Sequence, residues 1–97
     1  MKTMDLIREY RLREYAPDVF RGPVGLNPDA IEDRLRNAGS EFIEVFNWRD
    51  ALSRRVWVAL QAQSILTYVD GDLTLETFSD TDTMLEAIES RKAAYAA

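Results

Sequence analysis

The side chains of this sequence that could do chemistry are carboxylates and guanidinium groups. Cysteine and histidine are absent. Thiolate nucleophiles, imidazole acid–base catalysis, Cys-type zinc sites and disulfides are thereby excluded. Ser40, Ser53, Ser64, Ser79 and Ser90 have no imidazole to activate them. No P-loop, Gly-rich dinucleotide fingerprint or Gly-x-Ser-x-Gly elbow occurs. Asp70, Asp72 and Glu76 are oxygen donors of the kind Mg²⁺ or Ca²⁺ accepts, but the pattern is not an EF-hand loop. If Asp70 lies in a turn and Glu76 lies down a strand, the two do not converge. The expectation is a non-enzymatic protein with no metal and no cofactor.

The carboxylates are unevenly placed. Residues 1–36 hold seven basic and seven acidic side chains, and residues 37–69 hold three of each. Residues 70–97 hold Asp70, Asp72, Glu76, Asp80, Asp82, Glu86 and Glu89 against only Arg91 and Lys92, so the whole net charge of −5 lies there. Two explanations compete. Each acid could serve a local turn or helix start. Alternatively, the seven form a negative surface that speeds encounter with a basic partner and rejects anionic competitors. A protein that grips nucleic acid has the matching basic groove, and an acidic domain could occupy it in place of phosphates. Phe78 and Tyr95 are candidate aromatic anchors beside those acids, with core packing as the alternative for Phe78.

The arginines also admit two readings. Arg49, Arg54 and Arg55 flank Trp48 and Trp57, a combination that can stack on and neutralise nucleic acid. A pI near 4.6 speaks against direct nucleic-acid binding. The alternative is pairing of these arginines with Asp50 and Glu44, or a second protein-contact patch.

These groups must be positioned by a small scaffold. A chain of 97 residues, 46% hydrophobic and 30% charged, suits a single globular domain over 1–97. No run of 18 apolar residues and no signal-peptide core is present, so a cytoplasmic protein with no membrane partner is expected. Thr3, Asp5, Leu6, Ile7 and Tyr10 predict a surface helix over 3–15, with Glu9 and Arg13 at pairing distance. Residues 16–28, with Pro17, Pro23, Pro28, Gly22 and Gly25, read as irregular, pinned to the core by Val19, Phe20, Val24 and Leu26. Asn27 as N-cap, Pro28 at the first helical position, a Leu26–Ile31 staple and Gly39 at the end predict a helix over 28–38.

Residues 42–46 have β composition with apolar residues on both faces, which predicts a strand covered on both sides. Residues 48–64 are ambiguous. They favour a short helix over 48–53 and a strand from about 55, though Leu52, Val56 and Ala59 also allow a helical stripe. Asp70-Gly71 predicts a two-residue hairpin turn. It sets Val69 opposite Asp72, Tyr68 opposite Leu73, Thr67 opposite Thr74, Leu66 opposite Leu75 and Ile65 opposite Glu76. Leu66, Tyr68, Leu73 and Leu75 then share the core face. Thr83 and Glu86 form a capping box for a helix over 83–95.

The sum is α+β, with a small, mainly antiparallel sheet of 3–4 strands and about three helices packed on it. The expected function is that of a protein-binding inhibitor or regulator, the seven C-terminal acids contacting a basic partner surface. Phage-encoded inhibitors of host defence, anti-CRISPR proteins among them, act in this way, as do antitoxins and immunity proteins. No motif assigns the chain to any of these. A self-associating structural or assembly adaptor, fed by the apolar loop 17–26 and the Tyr and Trp content, is the alternative.

Overall fold

The computed structural model describes residues 2–96. Three helices and six strands alternate as α1 (Thr3–Glu9), β1 (Arg13–Ala16), β2 (Val19–Pro23), α2 (Pro28–Asn37), β3 (Ile43–Asn47), β4 (Arg55–Ala59), β5 (Ser64–Val69), β6 (Asp72–Thr77) and α3 (Thr81–Ala96). All six strands join one antiparallel sheet in the order β1-β2-β6-β5-β4-β3. The class is α+β as expected, but the sheet has six strands and not three or four.

The two extra strands come from the segments read as a long helix and an irregular loop. α1 stops at Glu9 because Arg11 turns to a φ of +54°. Leu12 then folds into the core beside Leu6 and Tyr10. β1 follows at once, and Pro17-Asp18 turns it back into β2. Proline at the first central position and a φ of +62° at Asp18 are the pattern of a type II turn. Gly22 in β2 is buried, and a Cβ there would sit 3.3 Å from a Leu12 methyl and 3.4 Å from the Arg11 carbonyl oxygen. Glycine at this position is what lets the α1–β1 turn lie on the strand. Glu9 is therefore carried away from Arg13 and pairs with Arg34 of α2 at 2.7 Å.

The β5–β6 hairpin has the predicted register at every pair. Asp70 and Gly71 both take positive φ, +46° and +89°, as a type I′ turn requires. α2 is capped as expected: the Asn27 side chain accepts from the Ala30 N–H at 2.9 Å, and Gly39 follows with φ +65°. α3 begins earlier than predicted. Asp80, not Thr83, accepts at the helix start, from the Thr83 N–H at 2.7 Å. Residues 48–53 form no helix. Asp50 holds them in a loop by accepting from the Leu52 N–H at 3.1 Å, and Ser53 takes φ +50°.

Apolar side chains alternate across the sheet and build two cores. Trp57, Leu66, Tyr68, Leu73 and Leu75 face α1 and α2, meeting Leu6, Ile31 and Leu35. Val56, Val58 and Ile65 face α3 and meet Met84 and Ile88. β4 is buried on both sides for this reason. β3 is not. It is an edge strand whose register shifts between Glu44 and Phe46. The bulge sends Phe46 to the α3 side although Phe42 packs on the other. Ile43 is left 67% exposed at the rim.

Candidate functional site

The structure divides the seven C-terminal acids into three sets. Asp82, Glu86 and Glu89 lie on α3, the helix whose buried stripe is Met84 and Ile88. At about 100° per residue the three carboxylates fall within an arc of roughly 60° opposite that stripe, and span about 10 Å along the axis. All three are exposed and make no ion pair among the described residues. Lys92, three residues past Glu89, sets its ammonium over the Phe46 ring at 5.6 Å. Asp80 closes the N-terminus of the same helix. The hydrogen bond from the Thr83 N–H holds its carboxyl below the usual carboxylate range.

Asp72 and Glu76 point the same way from the sheet and each has an arginine beside it. Arg21 of β2 approaches Asp72 at 3.8 Å, and Arg91 of α3 pairs with Glu76. Asp70, in the β5–β6 turn, lines the same cleft as Asp72 and Glu76 and makes no ion pair among the described residues. The carboxylates brought together without a counter-charge are thus those of the outer ridge of α3. Arg8, Arg11 and Arg13, at α1, the turn after it and the edge strand β1, make no ion pair among the described residues, and neither do Asp5, Glu14 and Asp18 of the same segment. α1 packs on the opposite face of the sheet from α3.

Of these arginines and tryptophans, Arg54, Arg55, Trp48 and Trp57 have structural partners. Trp57 is fully buried and its indole N–H donates to Glu32 at 2.5 Å. Arg55 lies over the Trp57 ring at 5.4 Å and donates to Asp29 at 2.6 Å and to Glu44. Burial opposes the Arg55 charge most strongly, yet the two carboxylates hold its pKa above the ordinary value. Arg54 pairs with Asp50 at 2.5 Å, which holds that carboxyl below its usual range. Trp48 stacks edge-on against Tyr95 at 5.3 Å, with Arg54 over the Tyr95 ring at 4.9 Å. Phe78 and Tyr95, read from sequence as anchors, are half-buried against the α3-side core.

Beside α3 lies a polar cleft of about 450 Å³. Its floor is Thr67 of β5 with Thr74 and Glu76 of β6. Arg21 flanks it, and Arg91 and Tyr95 close it from the helix. Thr67 is 5% exposed, and its hydroxyl has no hydrogen-bond partner among the described residues; nor has one Nη of Arg91. Burial pulls the Arg91 guanidinium below its ordinary pKa. Sequence reading missed this cleft because Arg21 lies on a strand that the prolines and glycines disguised. A second cavity, of about 620 Å³, is mainly apolar and lies between α1, α2 and the Pro23–Leu26 segment.

Among the described residues no three Asp, Glu, His or Cys side chains are grouped to hold a metal ion, and no helix is long and apolar enough to cross a membrane. The chain matches no family model, no curated protein and no solved structure.

Proposed function

We propose that this chain is a non-enzymatic binding protein that occludes a basic, nucleic-acid-handling surface of a partner, as phage anti-defence proteins of the anti-CRISPR type do. The observation that carries this reading is the outer ridge of α3. Asp82, Glu86 and Glu89 stand exposed there and make no ion pair among the described residues, while Glu76 pairs with Arg91 and Asp72 lies near Arg21. Antitoxins and immunity proteins act through the same kind of occlusion and differ in the partner. A self-associating adaptor is the second reading, favoured by the exposed Ile43 on the edge strand β3.

The test is affinity capture from the native cell over a salt series, with Asp82→Lys/Glu86→Lys/Glu89→Lys as the control. Asp80 is left intact because it caps the helix. Capture that weakens steeply between low and physiological salt, and that the triple variant abolishes, supports the reading. Capture of the same protein by the triple variant overturns it. Light scattering addresses the adaptor: a stable oligomer of the isolated chain favours assembly, and a monomer favours partner binding.

A further inference from the structure

We infer that the cavity between α1, α2 and the Pro23–Leu26 segment is a binding site for a small free carboxylic acid with an apolar body, its carboxylate facing Arg11. Tyr10, Pro23, Val24, Leu26 and Ala30 supply the apolar lining, and Leu26 is left 44% exposed. Hydrogen bonds hold the segment in place on both sides of Gly25. The Val24 N–H donates to the Gly71 carbonyl at 2.8 Å, and the Tyr68 hydroxyl donates to the Leu26 carbonyl at 3.3 Å. Gly25 itself brings no side chain, and nothing lies within 4 Å of where its Cβ would stand. The space is therefore preformed and open. At about 620 Å³, mainly apolar with a few polar groups at its wall, it has the usual make-up of a small-molecule site.

The charge of the lining narrows the ligand class. Its charged side chains are Glu9, Arg11 and Arg34. Glu9 and Arg34 answer each other, the Arg34 Nε donating to the Glu9 carboxylate at 2.8 Å. Arg11 makes no ion pair among the described residues. The lining thus keeps a surplus of one positive charge, in a chain whose net charge is −5. An amine would be repelled by Arg11, and a neutral ligand would leave its guanidinium without an acceptor. One carboxylate matches the surplus and the planar fork of the guanidinium. The cavity lies on the face of the sheet opposite α3, so the inference stands apart from the acidic ridge.

Amide chemical-shift titration of the full chain tests the site. The probes are hexanoate and 3-phenylpropionate, with 3-phenylpropanol and 3-phenylpropylamine as matched arms that lack the carboxylate. N-acetyl-leucyl-leucine, a mimic of a peptide end, is a further arm. Each is raised to about 10 mM, above a weak millimolar Kd. The expected result is saturable shifts at Val24, Gly25, Leu26 and Ala30 with at least one of the two acids. The alcohol should bind about fivefold more weakly than its matched acid, as suits one exposed ion pair, and the amine more weakly still. Arg11 has a φ of +54°, which Asn adopts readily, so Arg11→Asn should fold as the parent does. It should weaken the acids about fivefold and leave the alcohol unchanged. Gly25→Leu needs no left-handed backbone and meets no neighbour at its Cβ, and by occupying the cavity it should abolish binding of acid and alcohol alike. Any one of four results would overturn the inference: no saturable shift with either acid, the alcohol or amine binding as tightly as the matched acid, the peptide mimic binding more tightly than both acids, or unchanged acid affinity in either variant.

Discussion

Replacing Arg55 with Met tests the charged cluster that ties α2 to the sheet. The Arg55 side chain is 7% exposed and is held by Glu44 of β3 and Asp29 of α2. Met keeps much of the volume and the packing over Trp57, so the change removes charge and hydrogen bonds more than contact. Breaking a buried ion pair from one side costs about 3–5 kcal/mol, because the stranded partner remains desolvated. Here Asp29 is 88% exposed and rehydrates freely, whereas Glu44 does not. The expected loss is therefore at the lower end, about 3 kcal/mol, or a Tm lower by on the order of 15 °C for a domain of this size. Adding Glu44→Met removes the stranded carboxylate and should restore most of the loss, with a coupling of at least about 1 kcal/mol in the double-mutant cycle. Urea unfolding followed by far-UV circular dichroism and Trp fluorescence gives all four corners of the cycle. Arg55→Met within about 0.5 kcal/mol of the parent, or a double variant no more stable than the single one, would refute the reasoning.

Three further outcomes are expected. Asn27→Ala removes the side-chain acceptor at the start of α2 and should cost about 1 kcal/mol in urea unfolding. Gly71→Ala meets no atom within 4 Å, so its cost is backbone strain at φ +89°, about 1 kcal/mol by the same measurement. Asp50 and Asp80 have folded pKa values below their unfolded ones, through Arg54 and the Thr83 N–H respectively. Their stabilisation is complete above the unfolded carboxylate value of about 4 and is lost as pH falls through the lower folded values. The urea midpoint should therefore decline on that acid limb, and the Asp50→Asn/Asp80→Asn variant should show a shallower decline.

The parts of the fold legible in the sequence are those that local chemistry determines. Asn27, Pro28, Leu26 and Ile31 define α2 without reference to anything distant. Asp70-Gly71 fixes a register that the alternation of Leu66, Tyr68, Leu73 and Leu75 repeats independently. The β1–β2 hairpin was hidden because its strands are short, polar and Pro-bounded. What stabilises it is pairing with β6, more than fifty residues later in the chain. The break after Glu9 depends on an arginine in the left-handed region, a conformation that residue type does not announce. The bulge in β3 likewise appears only when Phe42 and Phe46 are seen on opposite faces. Of the candidate site, the position of the acids in the chain was readable, but their pairing was not. Arg21 comes near Asp72 only because β2 lies beside β6. Conversely, Arg54 and Arg55 pair with Asp50 and Glu44 as the sequence proposed.

The occlusion proposal is tested most directly by competition on a captured partner. The partner is loaded with labelled nucleic acid at physiological salt, this protein is added, and the release of the nucleic acid is followed by fluorescence anisotropy. The account predicts stoichiometric displacement by the parent and none by Asp82→Lys/Glu86→Lys/Glu89→Lys at the same concentration. A ternary complex that retains the nucleic acid, or equal displacement by the charge-reversed chain, would contradict it.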